Sequence, residues 1–374
     1  LVLATQGRSF WILDDVTPLR QLTGAAAKAD HYLFEPRPAY RARFRGFRGS
    51  EAPGSPPGPA VFDLYLAKAP AGEVSMEVVD PRGRVAARWS TAGKERSGRG
   101  AGSSGGDEEG DSGTSGQSGA AAEGGDIAAW ATKSLDLHAG ENRLEWNLHY
   151  AGPHLVKGAV MDLGYTGGPW AVPGTYTVRV KGDGWSVDRS FDVRKDPNYT
   201  DVTREDLQAE FDLASQVRDS VTAIHDAVRA LRSAREQAGQ ASERVSNGDF
   251  PDSVKSRVKA AADSLRTTLA SLAGRLHNDT IRTGEDGINY PPRIDNHFDF
   301  LYGHIVDAYG RPTDGSRTRF ADLNAELKPI RAEVQRALTK DVSGFNALLR
   351  GYGVPPVVVP AEASGPAGTD PAGG

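Results

Sequence analysis

Eight histidines are the first place to look for metal or acid–base chemistry in this chain: His31, His138, His149, His154, His225, His277, His297 and His304. No His-Glu-x-x-His occurs, and His297 and His304 stand seven residues apart, two helical turns where chelation from one helix face uses one. The chain has no cysteine, so it lacks disulfides, a thiolate zinc site and a thiol nucleophile. No Gly-x-Ser-x-Gly elbow, P-loop or Gly-x-Gly-x-x-Gly helix start is present. Asp14 and Asp15 could form an acid pair, but adjacent residues on a strand point to opposite faces, so they read as a solvated turn. The cluster Asp107, Glu108, Glu109 and Asp111 lacks the Asp-x-Asp-x-Asp-Gly spacing of a calcium loop. The sequence therefore predicts no metal site, no cofactor and no catalytic residue.

Two features point to recognition instead. Ile288-Asn289-Tyr290-Pro291-Pro292-Arg293-Ile294-Asp295-Asn296 places two prolines just before a helix, which forces extended backbone and allows a cis bond, while Asp295 or Asn296 can cap that helix. The expectation is a rigid corner that docks Tyr290 and Arg293 onto neighbouring helices, with Tyr290, Arg293, Asp295 and Asn296 as the candidate interaction residues. Trp130, Trp146, Trp170 and Trp185 could stack on a carbohydrate. Trp146 reads as core, and the other three as scattered loop or strand-end residues.

The elements that must carry these residues change character along the chain. Leu1–Thr5 and Ser9–Leu13 read as a hairpin around Gln6-Gly7-Arg8. An isolated hairpin is marginal in water, so its natural neighbours are expected upstream. A linker through Thr17-Pro18 to Pro36 and Pro38 comes next. From about residue 60 to 195 the period is two: Phe62, Leu64 and Leu66; Val74, Met76 and Val78; Val85–Ser90; then Leu144, Trp146, Leu148 and Tyr150 inward; then Thr175–Val180 and Ser186–Val193. Such strands predict an immunoglobulin or fibronectin III-like sandwich. Gly93–Asp126 holds 12 Gly in 34 residues and no Val, Ile, Leu, Met, Phe, Tyr or Trp, so it is expected to be a disordered insert.

Beyond Thr203 and Asp206, a helix start, the period becomes helical. One stripe runs through Leu207, Phe211, Ala214, Val217, Val221, Ile224, Val228 and Leu231, and another through Val254, Val258, Ala261, Leu265, Leu269, Leu272 and Leu276. A third helix is expected over Asp295–Tyr309 and a fourth over about Ser316–Leu349, kinked or broken at Pro329. The predicted fold is multidomain, β then α. A terminal β-propeller hairpin and linker occupy 1–33, and an Ig-like β-sandwich occupies 34–196 with its insert at 93–126. An antiparallel α-helical bundle spans 197–350, and an extended tail 351–374.

Composition bounds the function. With 44 Lys+Arg against 49 Asp+Glu, the net charge of −5 gives no basic footprint for nucleic acid. No apolar run approaches the ~20 residues of a membrane span.

Three stretches carry a family resemblance. Leu3-Ala4-Thr5-Gln6-Gly7-Arg8-Ser9-Phe10-Trp11-Ile12-Leu13-Asp14-Asp15 with Thr17-Pro18-Leu19-Arg20 is one. The others are Asn142–Leu148 with Pro173–Val178, and Asn289–Asn296 with Arg311-Pro312-Thr313-Asp314-Gly315. Together they resemble the C-terminal part of bacterial sortilin-like, BNR/Asp-box repeat β-propeller proteins, often labelled glycosyl hydrolases or exo-sialidase-like. No Ser-x-Asp-x-Gly-x-Thr-Trp box occurs here, so no catalytic residue transfers to this chain. The resemblance implies an extracytoplasmic (periplasmic or secreted) protein and an upstream propeller of the same protein as partner, with a further protein or glycan partner. It implies a non-catalytic accessory role: propeller closure, support and binding. The alternative it implies is part of a glycosyl hydrolase-like enzyme whose active site lies mainly upstream.

Overall fold

A computed structural model of the chain describes residues 2–7, 10–12, 15–24, 26–42, 60–92, 131–161, 164–283 and 286–359. The expected insert at 93–126, Asp14, Trp130 and the end of the expected tail lie outside the described residues. The chain divides into two compact units, Leu1–Gly152 with Gly167–Phe211, and Pro153–Thr166 with Asp212–Gly374.

In the first unit β1 (Val2–Ala4) and β2 (Phe10–Ile12) pair antiparallel as a two-stranded sheet. A short helix α1 (Thr17–Gln21) comes after them, with Pro18 in its first turn, where a missing N–H costs nothing. Three strands, β3 (His31–Leu33), β5 (Ala60–Leu66) and β9 (Gly140–Trp146), form one antiparallel sheet in the order β3-β5-β9. A second sheet has six strands: β4 (Ala39–Arg41), β6 (Ser75–Val79), β7 (Val85–Ser90), β8 (Lys133–Ser134), β10 (Gly174–Gly182) and β11 (Trp185–Lys195). Its order is β4-β11-β10-β6-β7-β8, and β4 runs parallel to β11 and β8 parallel to β7. Alternation along the strands sends Phe62, Leu64, Trp146, Met76, Val78, Tyr176, Val178 and Phe191 into one buried core.

The alternation of Arg143–Tyr150 stops early as a strand. β9 ends at Trp146, and Leu148 reaches the core from a left-handed backbone (φ 62°). The Trp146 indole N–H then donates to the His149 carbonyl at 2.8 Å.

In the second unit the helical stripes bury the faces they mark. α2 (Arg204–Asn247) begins in the first unit and runs into the second, and its start is a reciprocal cap. Thr203 N–H donates to Asp206 Oδ2 at 3.0 Å, while Asp206 N–H donates to Thr203 Oγ1 at 3.1 Å. Next come α3 (Asp252–Leu276), α4 (Ile294–Val306) and α5 (Asp314–Arg336), whose N-cap is Thr313. Pro329 lies inside α5 without ending it; the irregularity comes later, as a π turn over Ala337–Asp341 that leads into α6 (Val342–Arg350).

The expected propeller hairpin, Ig-like sandwich and antiparallel bundle are not what forms: the chain is α+β overall, with mixed sheets and helices. Each part fails for its own reason. A propeller blade is a four-stranded sheet, and β1–β2 has two strands. An Ig-like sandwich is built of antiparallel sheets, and here two edge pairings are parallel. A bundle wants matched helices joined by short connections, yet α2 has 44 residues, α3 has 25 and α4 only 13. Periodicity identifies a strand or a buried stripe; strand direction and helix partner depend on pairings distant in sequence, which periodicity does not encode.

Candidate functional site

The second unit buries a group of ionisable side chains among its apolar stripes. His225 lies on α2 beside Ile224, and its side chain is completely buried. His277 is the residue on which α3 ends: its backbone turns extended (φ −142°, ψ 143°) while its N–H closes the helix on the Ala273 carbonyl. Asp295 sits in the first turn of α4, where the helix dipole favours a carboxylate. Asp299 lies one turn further along, so the two acids share a face.

Asp295 is the hub. Its Oδ2 lies 2.6 Å from His277 Nδ1 and 3.5 Å from His225 Nε2, and its Oδ1 accepts from the Asn296 N–H at 2.8 Å. Because a carboxylate only accepts, His277 carries its proton on Nδ1 and turns Nε2 outward, 3.5 Å from Asp279 Oδ1.

His225, His277 and Asp295 offer one ligand atom each within 4.8 Å of one another, a grouping that could hold a metal ion. The tautomer of His225 opposes that use. The Val156 N–H donates to His225 Nδ1 at 3.2 Å, so the neutral ring carries its proton on Nε2, which lies 3.5 Å from Asp295 without forming a hydrogen bond and, being protonated, is not a ligand. Burial, with the nearby His277, Arg229 and Arg232, pushes the His225 pKa down to about 3, so the ring stays neutral at neutral pH. The arrangement is a buried carboxylate between two imidazoles.

Asp299 has the opposite chemistry. Among the described residues neither carboxyl oxygen has a hydrogen-bond partner, and burial together with the charge of Asp295 raises its pKa well above the usual carboxylate range. That environment favours the neutral acid over the carboxylate. A Cβ added at Gly164 would lie 1.5 Å from Asp299 Oδ2, so only glycine lets the backbone pass over that carboxyl. The side-chain oxygen and nitrogen of Asn296 are also buried without partners.

Next to His277 a cleft of about 240 Å³ opens. Its floor is Leu231, Leu269, Ala270, Ala273 and Gly274, and its polar rim is Arg232, Arg235, Asn278, Asp279, Thr280 and Arg293. Asn278 braces the rim: its Nδ2 donates to the Pro291 carbonyl at 3.0 Å, and its Oδ1 accepts from the Thr280 hydroxyl at 2.6 Å. Arg232 is ion-paired with Asp279.

The four candidate interaction residues part company in the structure. Asp295 and Asn296 are buried, whereas Tyr290 and Arg293 are exposed. Arg293 stands at the N-cap of α4 without a side-chain cap bond and lines the cleft. Neither Asp295 nor Asn296 is the capping residue. The described peptide bonds around the two prolines are trans.

Other residues weighed for chemistry have local partners. Asp15 accepts from the Thr17 N–H and pairs with Arg37 at 2.9 Å. The tryptophans form no common platform among the described residues: Trp146 is core, Trp170 lies against His149, and Trp185 stacks on His31 at 4.2 Å. His304 stacks on Phe300.

Periodicity alone passes over His225, His277 and Asp299. A signal for the acids is present: in α4 Asp295 and Asp299 share the i, i+4 spacing of the apolar pairs Ile294–Phe298 and Phe298–Tyr302. Polar residues interleaved with a buried stripe are the anomaly to look for.

No protein-family model, curated protein or solved structure matches this chain. No helix among the described residues is long and apolar enough to cross a membrane.

Proposed function

We propose that this chain is an accessory, non-catalytic region of a larger exported protein similar to the sortilin-like, BNR/Asp-box repeat proteins, with support of that protein and binding of a protein or glycan as its task. The observation that carries this reading is the state of β1–β2. Among the described residues the hairpin pairs only with itself, and Val2 and Leu3 are 60% and 55% exposed. A two-stranded ribbon gains too little from its own pairing to be stable in water, so these residues await another surface. The segment after the hairpin is pinned: Arg37 holds Asp15, and the Gln21 side chain bonds Glu35 through its carbonyl and N–H at 2.8 and 3.0 Å. A two-stranded hairpin with Val2 and Leu3 exposed, followed by an anchored segment, fits a junction with a larger body.

The test compares this chain with the product of the complete reading frame in which it lies, by hydrogen exchange at residues 2–4 and 10–12. Rapid exchange in the chain alone and protection in the complete product is the expected result. Equal protection in both, or release of sugars from a glycan by the chain alone, would overturn the proposal.

A further inference from the structure

The geometry points to the cleft beside His277 as a binding site for a small oxyanion, the phosphate or sulfate group of a ligand. Three guanidinium groups, Arg232, Arg235 and Arg293, line it against a single carboxylate, Asp279. They come from α2 and from the segment before α4, so the excess of positive charge is assembled by the fold and not by a run of sequence. At about 240 Å³ the cleft is smaller than the sites that enclose drug-sized molecules and suits one anionic group with a few attached atoms.

Asp279 marks where the anion sits. Its carboxylate is paired with Arg232 and lies 3.5 Å from His277 Nε2, so a side-chain oxyanion already sits between one of the arginines and the imidazole, in a cleft that Arg235 and Arg293 also line. Asp279 is 68% exposed at its side chain and belongs to a short turn, so it can swing out in exchange for a more highly charged oxyanion. His277 supplies the fixed wall. Its ring is almost fully buried, and the 2.6 Å bond from Nδ1 to Asp295 sets the direction of Nε2 into the cleft, where it accepts from the hydroxyl of a hydrogen-phosphate group while the arginines hold the charged oxygens. Asp295 and His225 are thus positioning residues, which explains why a helix buries so much polar surface at this point. Arginine suits the task because its planar fork grips an oxyanion with two parallel bonds. This site is independent of the hairpin on which the accessory role rests, and either can fail alone.

The experiment is a titration of the full chain with inorganic phosphate, and in parallel with inorganic sulfate, at low ionic strength. It is read by the side-chain ¹⁵N signals of the histidines and by calorimetry. At least one anion should shift His277 Nε2 while leaving His225 unmoved. Arg235→Gln and Arg293→Gln, both exposed positions that the fold does not need, should each weaken binding about tenfold, the worth of one charged hydrogen bond. Asp279→Asn should strengthen it by a similar factor, because the competing carboxylate charge is gone. Raising the salt should weaken it in every variant. The site is refuted if neither anion moves His277 Nε2, or if binding is the same in the arginine and Asp279 variants. Comparing the two anions then separates a phosphate ester from a sulfate ester as the natural ligand.

Discussion

In the first unit the buried Arg41 meets Glu210 at 2.5 Å, with only its Nε left without a hydrogen bond among the described residues, and Asp80 collects the N–H groups of Arg82 and Arg84, the Arg84 guanidinium and the Tyr150 hydroxyl, all within 2.9 Å. In the second unit Asp299 and the Asn296 side chain are as deeply buried, yet their polar atoms lack partners. The first pattern is what stability demands, since a buried charge survives only when matched. The second costs stability at every unmatched atom. Where a chain that can satisfy its buried charges in one place leaves them short in another, the second place is the better candidate for function.

The sharpest break of this contrast is at the first unit's ion pair. Glu210→Leu leaves the Arg41 guanidinium buried without its partner and should cost about 3–5 kcal/mol in urea unfolding. Arg41→Met combined with Glu210→Leu should recover most of that loss, because two apolar chains need no partner. Equal instability of the single and double variants would mean that the pair does more than satisfy its own charges.

The two units should also respond to acid over different ranges. His225 has a folded pKa of about 3 against about 6.5 unfolded, so between those values the unfolded chain binds the extra proton. Its contribution is complete above pH 6.5 and is lost as pH falls toward 3, on the order of 4 kcal/mol in all. Asp80 works lower. Burial pushes its carboxyl up, but the Arg84 N–H, the Tyr150 hydroxyl and the Arg84 guanidinium outweigh it and hold the pKa below the ordinary 3.8. Its share is therefore present above 3.8 and lost only as pH falls beneath that. Histidine and tyrosine signals followed from pH 7 to 3 should report weakening at His225 first. Simultaneous loss in both units would remove the distinction.

The same asymmetry explains how much is legible in the sequence. Strands and helices are readable because Phe62, Leu64 and Leu66, or Val217, Val221 and Ile224, repeat at the period of their own backbone. The mixed sheet is not, since the pairing of Val193 with Ala39 joins residues more than a hundred positions apart and neither carries a mark of direction. Asp295 stands out in the sequence, but as a cap or a surface corner, because Pro291 and Pro292 make the segment look like a boundary. Its true partners, His277 and His225, come from two other helices and share no spacing with it. Arg293 stands out too, whereas the charge it joins on Arg232 and Arg235 depends on packing.

Asp299 offers a smaller effect with the opposite sign. Its folded pKa is raised, so the folded state holds a proton that the unfolded chain gives up above pH 3.8, and stability falls as pH rises through that window. Asp299→Leu removes both the proton cost and two unmatched oxygens from beneath Gly164, and should stabilise the chain by about 1–2 kcal/mol at pH 8. The gain should shrink as the pH is lowered toward 4. A loss at pH 8 would show that the acid has a partner and belongs with the matched charges of the first unit.

Tyr150→Phe tests the matched side at its gentlest. The phenol is largely buried, and burial, with Tyr176 and Asp80 beside it, pushes its pKa up, so it acts only as a neutral donor to Asp80 Oδ2 at 2.9 Å. Removing the hydroxyl leaves that oxygen with both guanidinium contacts of Arg84, at 2.8 Å each, so no charge is orphaned. The ring itself, packed edge-on against Phe211, is unchanged. The expected cost is therefore that of one ordinary hydrogen bond, about 1 kcal/mol in urea unfolding at pH 7. It should fade as Asp80 is protonated below pH 3.8, because the donor then loses a charged acceptor. A loss as large as that of Glu210→Leu would mean that the redundancy around Asp80 is only geometric and that its donors act as one network.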